Sequence, residues 1–331
     1  MTTHLPARPD APLKIAVSEC LTGAPVRYDG SGARSSFPHE TLGSLFTLVP
    51  VCPEMGIGMT VPRPPIRLVG TTDSARAVGV VDASLDVTGA LYQYGQTMVE
   101  KLRAQGVCGY VFMKNSPSCG LFRVKVYPDA PGLSPDRSIP VRKGRGIYAG
   151  AVSDAWPALP LEECGRLSDE VICENFVTRV FAYAHWTAFV ASGVTAAGLV
   201  TFHSRYKYLL MAHSVPAYER AGRLLSDLRN DLPGTANAYI NELMTGLSRI
   251  ATRGGHANVL SHLQGYFKDR LDGSARQELA TLVEAYRIGE QPLLAVLALI
   301  QHYLRRYPDD YIAHQVYLDP HPASAALRRS L

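Results

Sequence analysis

Lys14-Ile-Ala-Val-Ser-Glu-Cys20 is an apolar, strand-like run that ends on a cysteine, and the chain repeats the arrangement twice more. Phe46-Thr-Leu-Val-Pro-Val51 is followed by Cys52, and Val107-Cys-Gly-Tyr-Val-Phe-Met113 leads into the loop Asn115-Ser-Pro-Ser-Cys-Gly120, which carries Cys119. Ligands of open α/β sheets collect outside the carboxyl ends of the strands, so three thiols delivered there by three strands can converge on one object.

Outward from these strands the first half alternates strand-like runs with helical stretches and Gly/Pro loops, which predicts an α/β Rossmann-like N-terminal domain with a parallel sheet. A short helix is expected around His39 to Leu45, a Pro-stiffened loop at Val61 to Arg67, a strand at Ala77 to Leu85, and a helix from Thr88 to about Ala104. Tyr127 to Gly150, rich in Pro, Gly and basic residues, is expected as a long surface loop. From Ser168 onward helical periodicity dominates. Expected helices include Asp169 to Ala184, then Trp186 to Ser204 continuing into Lys207 to His213, and the last is Pro292 to Arg306. The domains expected are therefore a flexible tail over 1–12, the α/β domain over 13–190 and an all-α C-terminal domain over 191–331.

The chain has 331 residues, 47% apolar and 19% charged, which excludes a largely disordered protein. The first dozen residues lack the apolar core of a secretory signal, and no run reaches the roughly 20 apolar residues that span a bilayer. A cytoplasmic protein with reduced cysteines is the expectation, so the six cysteines favour metal binding or catalysis over disulfides. From Thr201 onward there are 15 Lys/Arg against 12 Asp/Glu, which permits a nucleic-acid partner without demanding one.

The intervals between the three strand-end cysteines are 31 and 66 residues, and no Cys-x-x-Cys pair exists, so a zinc finger is excluded. Such intervals suit a site whose ligands each ride on their own strand. A structural zinc wants four closed ligands, whereas a cubane iron–sulfur cluster held by three thiolates leaves one iron free as a Lewis acid. The spacing alone predicts a three-thiolate catalytic site. Cys108, Cys164 and Cys173 are expected as small buried hydrophobes.

Three ordered motifs carry a resemblance. Ser18-Glu-Cys-Leu-Thr-Gly-Ala-Pro-Val-Arg-Tyr-Asp-Gly30, Val51-Cys-Pro-Glu-Met-Gly-Ile-Gly58 with Pro62-Arg-Pro-Pro-Ile-Arg-Leu68, and Ser116-Pro-Ser-Cys-Gly120 together resemble the thiouracil desulfidase family over about residues 13 to 185. The second half, with Tyr206-Lys-Tyr-Leu-Leu-Met-Ala-His-Ser214, Ala251-Thr-Arg-Gly-Gly-His-Ala-Asn-Val-Leu260 and His302-Tyr-Leu-Arg-Arg-Tyr-Pro308, is similar to the helical companion domain of two-domain desulfidases that act on 4-thiouridine in transfer RNA. The resemblance implies a 4Fe-4S cluster bound by Cys20, Cys52 and Cys119 with one open iron, and non-redox removal of sulfur to give uridine and hydrogen sulfide.

Hydrolysis needs a base for the water and an acid for the ring. Glu54, two residues past a ligand, is the first choice; Glu19 and Asp29 are weaker candidates. Ser116 and Ser118 flank the third cysteine and are candidates for contact with the uracil edge or the cluster sulfides. Arg27 and Asp29 are candidate substrate contacts or loop braces, and Arg63 and Arg67, held among prolines, candidate phosphate or sheet-edge contacts. In the helical half, Arg205 and Lys207 with Tyr206 and Tyr208, Arg253 and His256 around a Gly-Gly break, and Arg305 and Arg306 with Tyr307 at a helix end suit an RNA backbone with a stacked base, Lys207, Arg253 and His256 being the first candidates. Two other functions fit the same residues: a desulfidase of free thiouracil or small thionucleosides, or a non-catalytic metal-binding protein that meets RNA or another protein. Monomer and homodimer are both compatible.

Overall fold

The computed structural model describes residues 5–34, 42–129, 138–228, 230–329 and 331, and the chain divides into two compact units. One is Ala11–Ser168; the other joins Asp169–Leu331 to the N-terminal residues through Asp10.

The first unit is built on a four-stranded, wholly parallel sheet in the order β2-β1-β5-β8, where β1 is Leu13–Ser18, β2 Phe46–Val51, β5 Val107–Phe112 and β8 Leu161–Glu163. Every residue of β5 and all but Lys14 of β1 are buried, as central strands covered on both faces must be. Pro50, which has no N–H to donate, sits on β2 at the sheet edge, where a missing ladder bond costs least. The parallel α/β expectation is met.

A second sheet combines the strand expected from Ala77 with segments expected as loops. Its order is β4-β3-β6-β7, with β3 Ile66–Val69, β4 Arg76–Gly79, β6 Val124–Tyr127 and β7 Val141–Gly144, and only the β3–β6 pair is parallel. Thus the strand expected over Ala77 to Leu85 ends at Gly79, and the stretch expected as a long loop contains β7. In β7 the first three residues are exposed, so no apolar alternation announces a strand; pairing with β6 makes it one. Residues 130–137 of that stretch, and the first three residues, 39–41, of the short helix expected at His39 to Leu45, lie outside the described residues.

The helix Thr88–Ala104 forms as expected and packs against Ile147–Ala155. Gly95 makes the fit possible, since a Cβ there would lie 2.6 Å from that of Ala151.

The second unit is all-helical, in Glu170–Ala191, Ala196–His213, Val215–Leu224, Leu232–Leu247, Arg253–Gly265, Gly273–Ile288 and Leu293–Arg306. Glu170–Ala191 runs through the expected break at His185 and across the domain cut expected near 190. Its start is set by Asp169, whose carboxylate accepts from the N–H groups of Val171 and Ile172. The break falls at Gly193, which takes φ +93°, and at Thr195, which caps Gly198 with its hydroxyl. The segment expected as a flexible tail is packed where it is described: Leu5 is buried, Pro6 O accepts from His185 Nε2 at 3.1 Å, and Arg8 pairs with Asp319.

Three histidine–tyrosine pairs recur in this unit, with His185 and His256 buried and His203 half-buried. His185, His203 and His256 each meet a tyrosine hydroxyl at Nδ1, from Tyr206 at 3.0 Å, Tyr239 at 3.3 Å and Tyr317 at 3.0 Å. For His185 the roles are fixed, because Pro6 O can only accept, leaving Nδ1 to accept from Tyr206. Burial pushes all three imidazoles down, to about 4, 4 and 3 respectively.

Candidate active site

At the carboxyl edge of the parallel sheet Cys20, Cys52 and Cys119 line one cavity of about 410 Å³. Cys20 lies in the short helical turn that follows β1, Cys52 N-caps the turn Pro53–Gly56 after β2, and Cys119 rides on the loop after β5. That loop is clamped from below. The carbonyls of Pro117, Ser118 and Gly120 accept from the N–H groups of Ile147, Ala149 and Gly146 at 3.1, 3.1 and 2.7 Å, which satisfies the otherwise unpaired donors at the start of Ile147–Ala155. Gly146 permits the approach, for a Cβ there would stand 2.5 Å from Ser118 O.

All six cysteines are free thiols. Burial pushes the Cys20 thiol up to about 11, with a smaller push from Cys52 and an opposing pull from Arg27. Burial likewise raises Cys52, and raises Cys119 further, against a hydrogen bond from Ser18. Thiols held protonated are poor nucleophiles at neutral pH; a thiophilic metal reverses this by displacing their protons. Among the described residues no three His, Cys, Asp or Glu side chains converge closely enough to hold a single metal ion. With sulfur–metal bonds of about 2.3 Å, one ion would need the three sulfurs nearly in contact.

Glu54 lines the same cavity and is held at both oxygens. Oε2 accepts from Arg63 Nε at 2.7 Å and from its Nη2, while Oε1 accepts from Ser118 Oγ at 2.5 Å. Arg63 is itself buried and donates onward to Val26 O at 2.9 Å and Thr60 O at 3.3 Å, so one guanidinium ties Glu54 to the loops beyond Cys20 and Cys52. Ser116 lines the cavity, whereas Ser118 is buried behind it. Because a carboxylate only accepts, the hydroxyls are oriented: Cys119 N–H donates to Ser116 Oγ at 3.0 Å, Ser116 donates to Ser118 at 2.9 Å, and Ser118 donates to Glu54.

The other candidates divide. Arg27 lines the cavity and donates to Ser31 Oγ at 2.8 Å. Asp29 stays out of it, closing a turn by accepting from Ser31 N–H and Oγ. Arg67, on β3, lines a separate recess of about 240 Å³ with Lys125; its guanidinium lies over the Tyr127 ring and its Nε is buried without a hydrogen-bond partner. In the helical unit Lys207 Nζ is 4.8 Å from the Tyr208 ring centroid and 5.3 Å from that of Tyr311. Arg253 stacks on Tyr286 and donates to its carbonyl at 2.8 Å, and His256 is buried against Tyr317. The aromatics beside these three groups are their partners within the fold. Ser18, Lys114 and Asn115 line the cavity without having been singled out. Ser18 is a lone small polar residue closing an apolar strand, and Asn115 takes φ +59°, a conformation asparagine tolerates better than most residues.

Residues 15–164 match the family described as 2-thiouracil desulfurase, and residues 207–322 match a second described as a protein of unknown function, DUF1722. The uncharacterized protein YbgA of Escherichia coli (strain K12) is 38% identical over 159 residues, which cover 47% of this chain and 94% of that protein. The uncharacterized protein YbbK of Bacillus subtilis (strain 168) is 33% identical over 113 residues, covering 32% and 72%. A solved structure of the 4Fe-4S-dependent thiouracil desulfidase TudS aligns with a TM-score of 0.35 at 25% identity, over 47% of this chain and 94% of that one. The thiol-lined edge of the parallel sheet lies within the residues that match 2-thiouracil desulfurase, and the DUF1722 match lies within the helical unit. The chain belongs to the thiouracil desulfidase family, in its two-domain form.

Proposed function

We propose that this enzyme removes sulfur from 4-thiouridine in transfer RNA, consuming water and yielding uridine and hydrogen sulfide, at a 4Fe-4S cluster held by Cys20, Cys52 and Cys119. The observation that carries the reading is the convergence of these three free thiols and Glu54 on one cavity. The donor set fits such a cluster: three soft ligands on neighbouring strand ends, spread too widely for one ion. When bound, the cluster supplies a Lewis-acidic iron for the thiocarbonyl sulfur.

The chain's own residues do the rest. Glu54 takes a proton from the water that attacks the ring carbon, with Arg63 fixing Oε2 and Ser118 fixing Oε1 so that the carboxylate is aimed before substrate arrives. Ser116, on the cavity wall, is the hydroxyl that meets the pyrimidine edge, and Ser118 acts through Glu54. Arg27 faces the same space. The excess of positive charge from Thr201 onward supports an RNA substrate. Among the described residues no helix is long and apolar enough to cross a membrane. The family description names thiouracil, so a free thiopyrimidine is the second reading.

Full-length protein loaded anaerobically with iron and sulfide, then mixed with thiolated bulk transfer RNA or with free 4-thiouracil, decides between them. Loss of thiouridine absorbance from the RNA with release of sulfide is expected; turnover of the free base alone would establish the second reading. Cys52→Ala should lose cluster colour and turnover together, and full turnover in that variant would overturn the proposal. Glu54→Gln should keep the colour while turnover falls by about 100-fold, the scale of a general base.

A further inference from the structure

The helical unit contains a cavity of its own, of about 370 Å³, whose wall carries Arg8, Arg205, Arg305, Gln301 and His314. Its charge is not balanced. Arg8 is answered by Asp319, with Nη2 3.8 Å from Oδ2 and Nη1 bonded to the backbone carbonyl, while the other carboxylate oxygen of Asp319 accepts from Ser324 Oγ at 2.5 Å. Arg205, half-buried on Ala196–His213, and Arg305, exposed in the last turn of Leu293–Arg306, have no carboxylate partner among the described residues. Two cations therefore share the cavity with nothing to offset them.

Arg205 is the more demanding of the two. Burial and the neighbouring Arg8 both weigh against its charged form, which a guanidinium nevertheless keeps at any physiological pH. His185, on the same wall, adds no charge, since burial holds its imidazole neutral and both nitrogens are engaged by Pro6 and Tyr206. His314 donates Nδ1–H to Asp310 O at 2.5 Å, which leaves Nε2 as an acceptor in the neutral ring. Guanidinium forks match the oxygens of phosphate in pairs, and the apolar side chains of Leu304 and Val316 give the same wall a surface for a sugar or base.

We infer that this cavity is a phosphate-binding site that takes one nucleotide of the substrate RNA backbone through Arg205 and Arg305. The phosphate chemistry stands on the cavity itself; the choice of RNA as its source rests on the function proposed above. Of the basic residues that the sequence offers for RNA contact, Arg205 and Arg305 line it, whereas Lys207, Arg253 and His256 do not.

The test uses full-length protein, labelled bulk transfer RNA and fluorescence anisotropy at two salt concentrations. Arg205→Gln with Arg305→Gln should weaken binding at least about tenfold and reduce the log–log salt slope by about 0.7–0.9 per arginine removed. Sulfide release from free 4-thiouridine should stay at the wild-type rate, which shows the variant folded and loaded. Arg305→Gln alone, at an exposed position, should give part of the effect with no change in stability. Unchanged RNA affinity and slope in both variants would overturn the site while leaving the proposed function standing if the wild type still desulfurates transfer RNA. Uridine monophosphate that binds only when Arg205 is intact, with RNA affinity unchanged, would overturn RNA as the source.

Discussion

Lowering the pH from 7 to 5 should destabilise the helical unit and spare the α/β unit. A histidine whose folded pKa is depressed stays neutral in the fold yet takes up a proton in the unfolded chain below its ordinary value of 6.5. Stability is therefore complete above 6.5, falls as pH drops through it, and stops falling from this cause only near the folded value. His185 and His203 sit at about 4 and His256 at about 3, all three because burial in a low-dielectric interior opposes the imidazolium. Each contributes about 1.4 kcal/mol per pH unit inside its window, so between pH 7 and 5 the three together remove roughly 5 kcal/mol. That is a large share of the 5–15 kcal/mol a domain commonly has. The control is built in, since the only histidine of the α/β unit is His39. The two tryptophans also divide, Trp156 in the α/β unit and Trp186 in the helical one, so urea titrations of Trp156→Phe and Trp186→Phe proteins report the units separately. With a urea slope of about 2 kcal/mol/M, the Trp186 midpoint should fall by about 2–3 M while the Trp156 midpoint holds. Midpoints that move in parallel, or a Trp186 midpoint that stays put, would refute the assignment of three neutral imidazoles.

Gly146→Ala should cost about 1–3 kcal/mol in the transition reported by Trp156, because the new Cβ meets only backbone, Ser118 O at 2.5 Å and Gly120 N at 2.9 Å, and the Cys119 loop must shift. A wild-type midpoint in that variant would mean the helix start is not what clamps the loop. Arg63→Lys keeps a charge but loses the fork that spans Glu54, Val26 and Thr60, so the same transition should fall by about 1.5–3 kcal/mol and turnover should drop with it. Equal stability and turnover would show that a point charge suffices. Ser118→Ala, which removes the donor to Glu54 and the acceptor for Ser116, should lower kcat by about tenfold with KM unchanged, since it acts through Glu54; an unchanged kcat with reduced stability would leave Ser118 a packing role.

What the sequence declared and what it concealed have physical causes. Cys20, Cys52 and Cys119 were legible because a strand announces itself locally and a cysteine at its end stands out. Glu54 was legible by adjacency, but its partners were not: Arg63 is nine residues on and Ser118 sixty-four, and no local pattern encodes a side-chain pair made by tertiary folding. Asp29 could have been assigned to its turn, since an aspartate followed two residues later by serine is a known way to close one. The break at Gly193 and Thr195 carried the ordinary cap signals, yet the buried run through His185 and Trp186 suggested an earlier stop where a polar residue in fact lies inside the core. Lys207 and Arg253 carry a sequence pattern with two readings. Basic residues interleaved with aromatics describe a stacking platform for a base and an internal cation–π pair equally well, and here the rings are already taken.

The order of strands in the parallel sheet sets a ruler. β2, β1 and β5 are consecutive neighbours, so the three cysteines that follow them start from positions stepped by the interstrand spacing of about 4.8 Å, a distance fixed by backbone hydrogen bonding. The chain between Cys20 and Cys52, or between Cys52 and Cys119, can lengthen or shorten away from the strands and leave that gauge unchanged. The gauge belongs to the sheet, so an insertion far from the strand ends should leave the three thiols facing the same cavity.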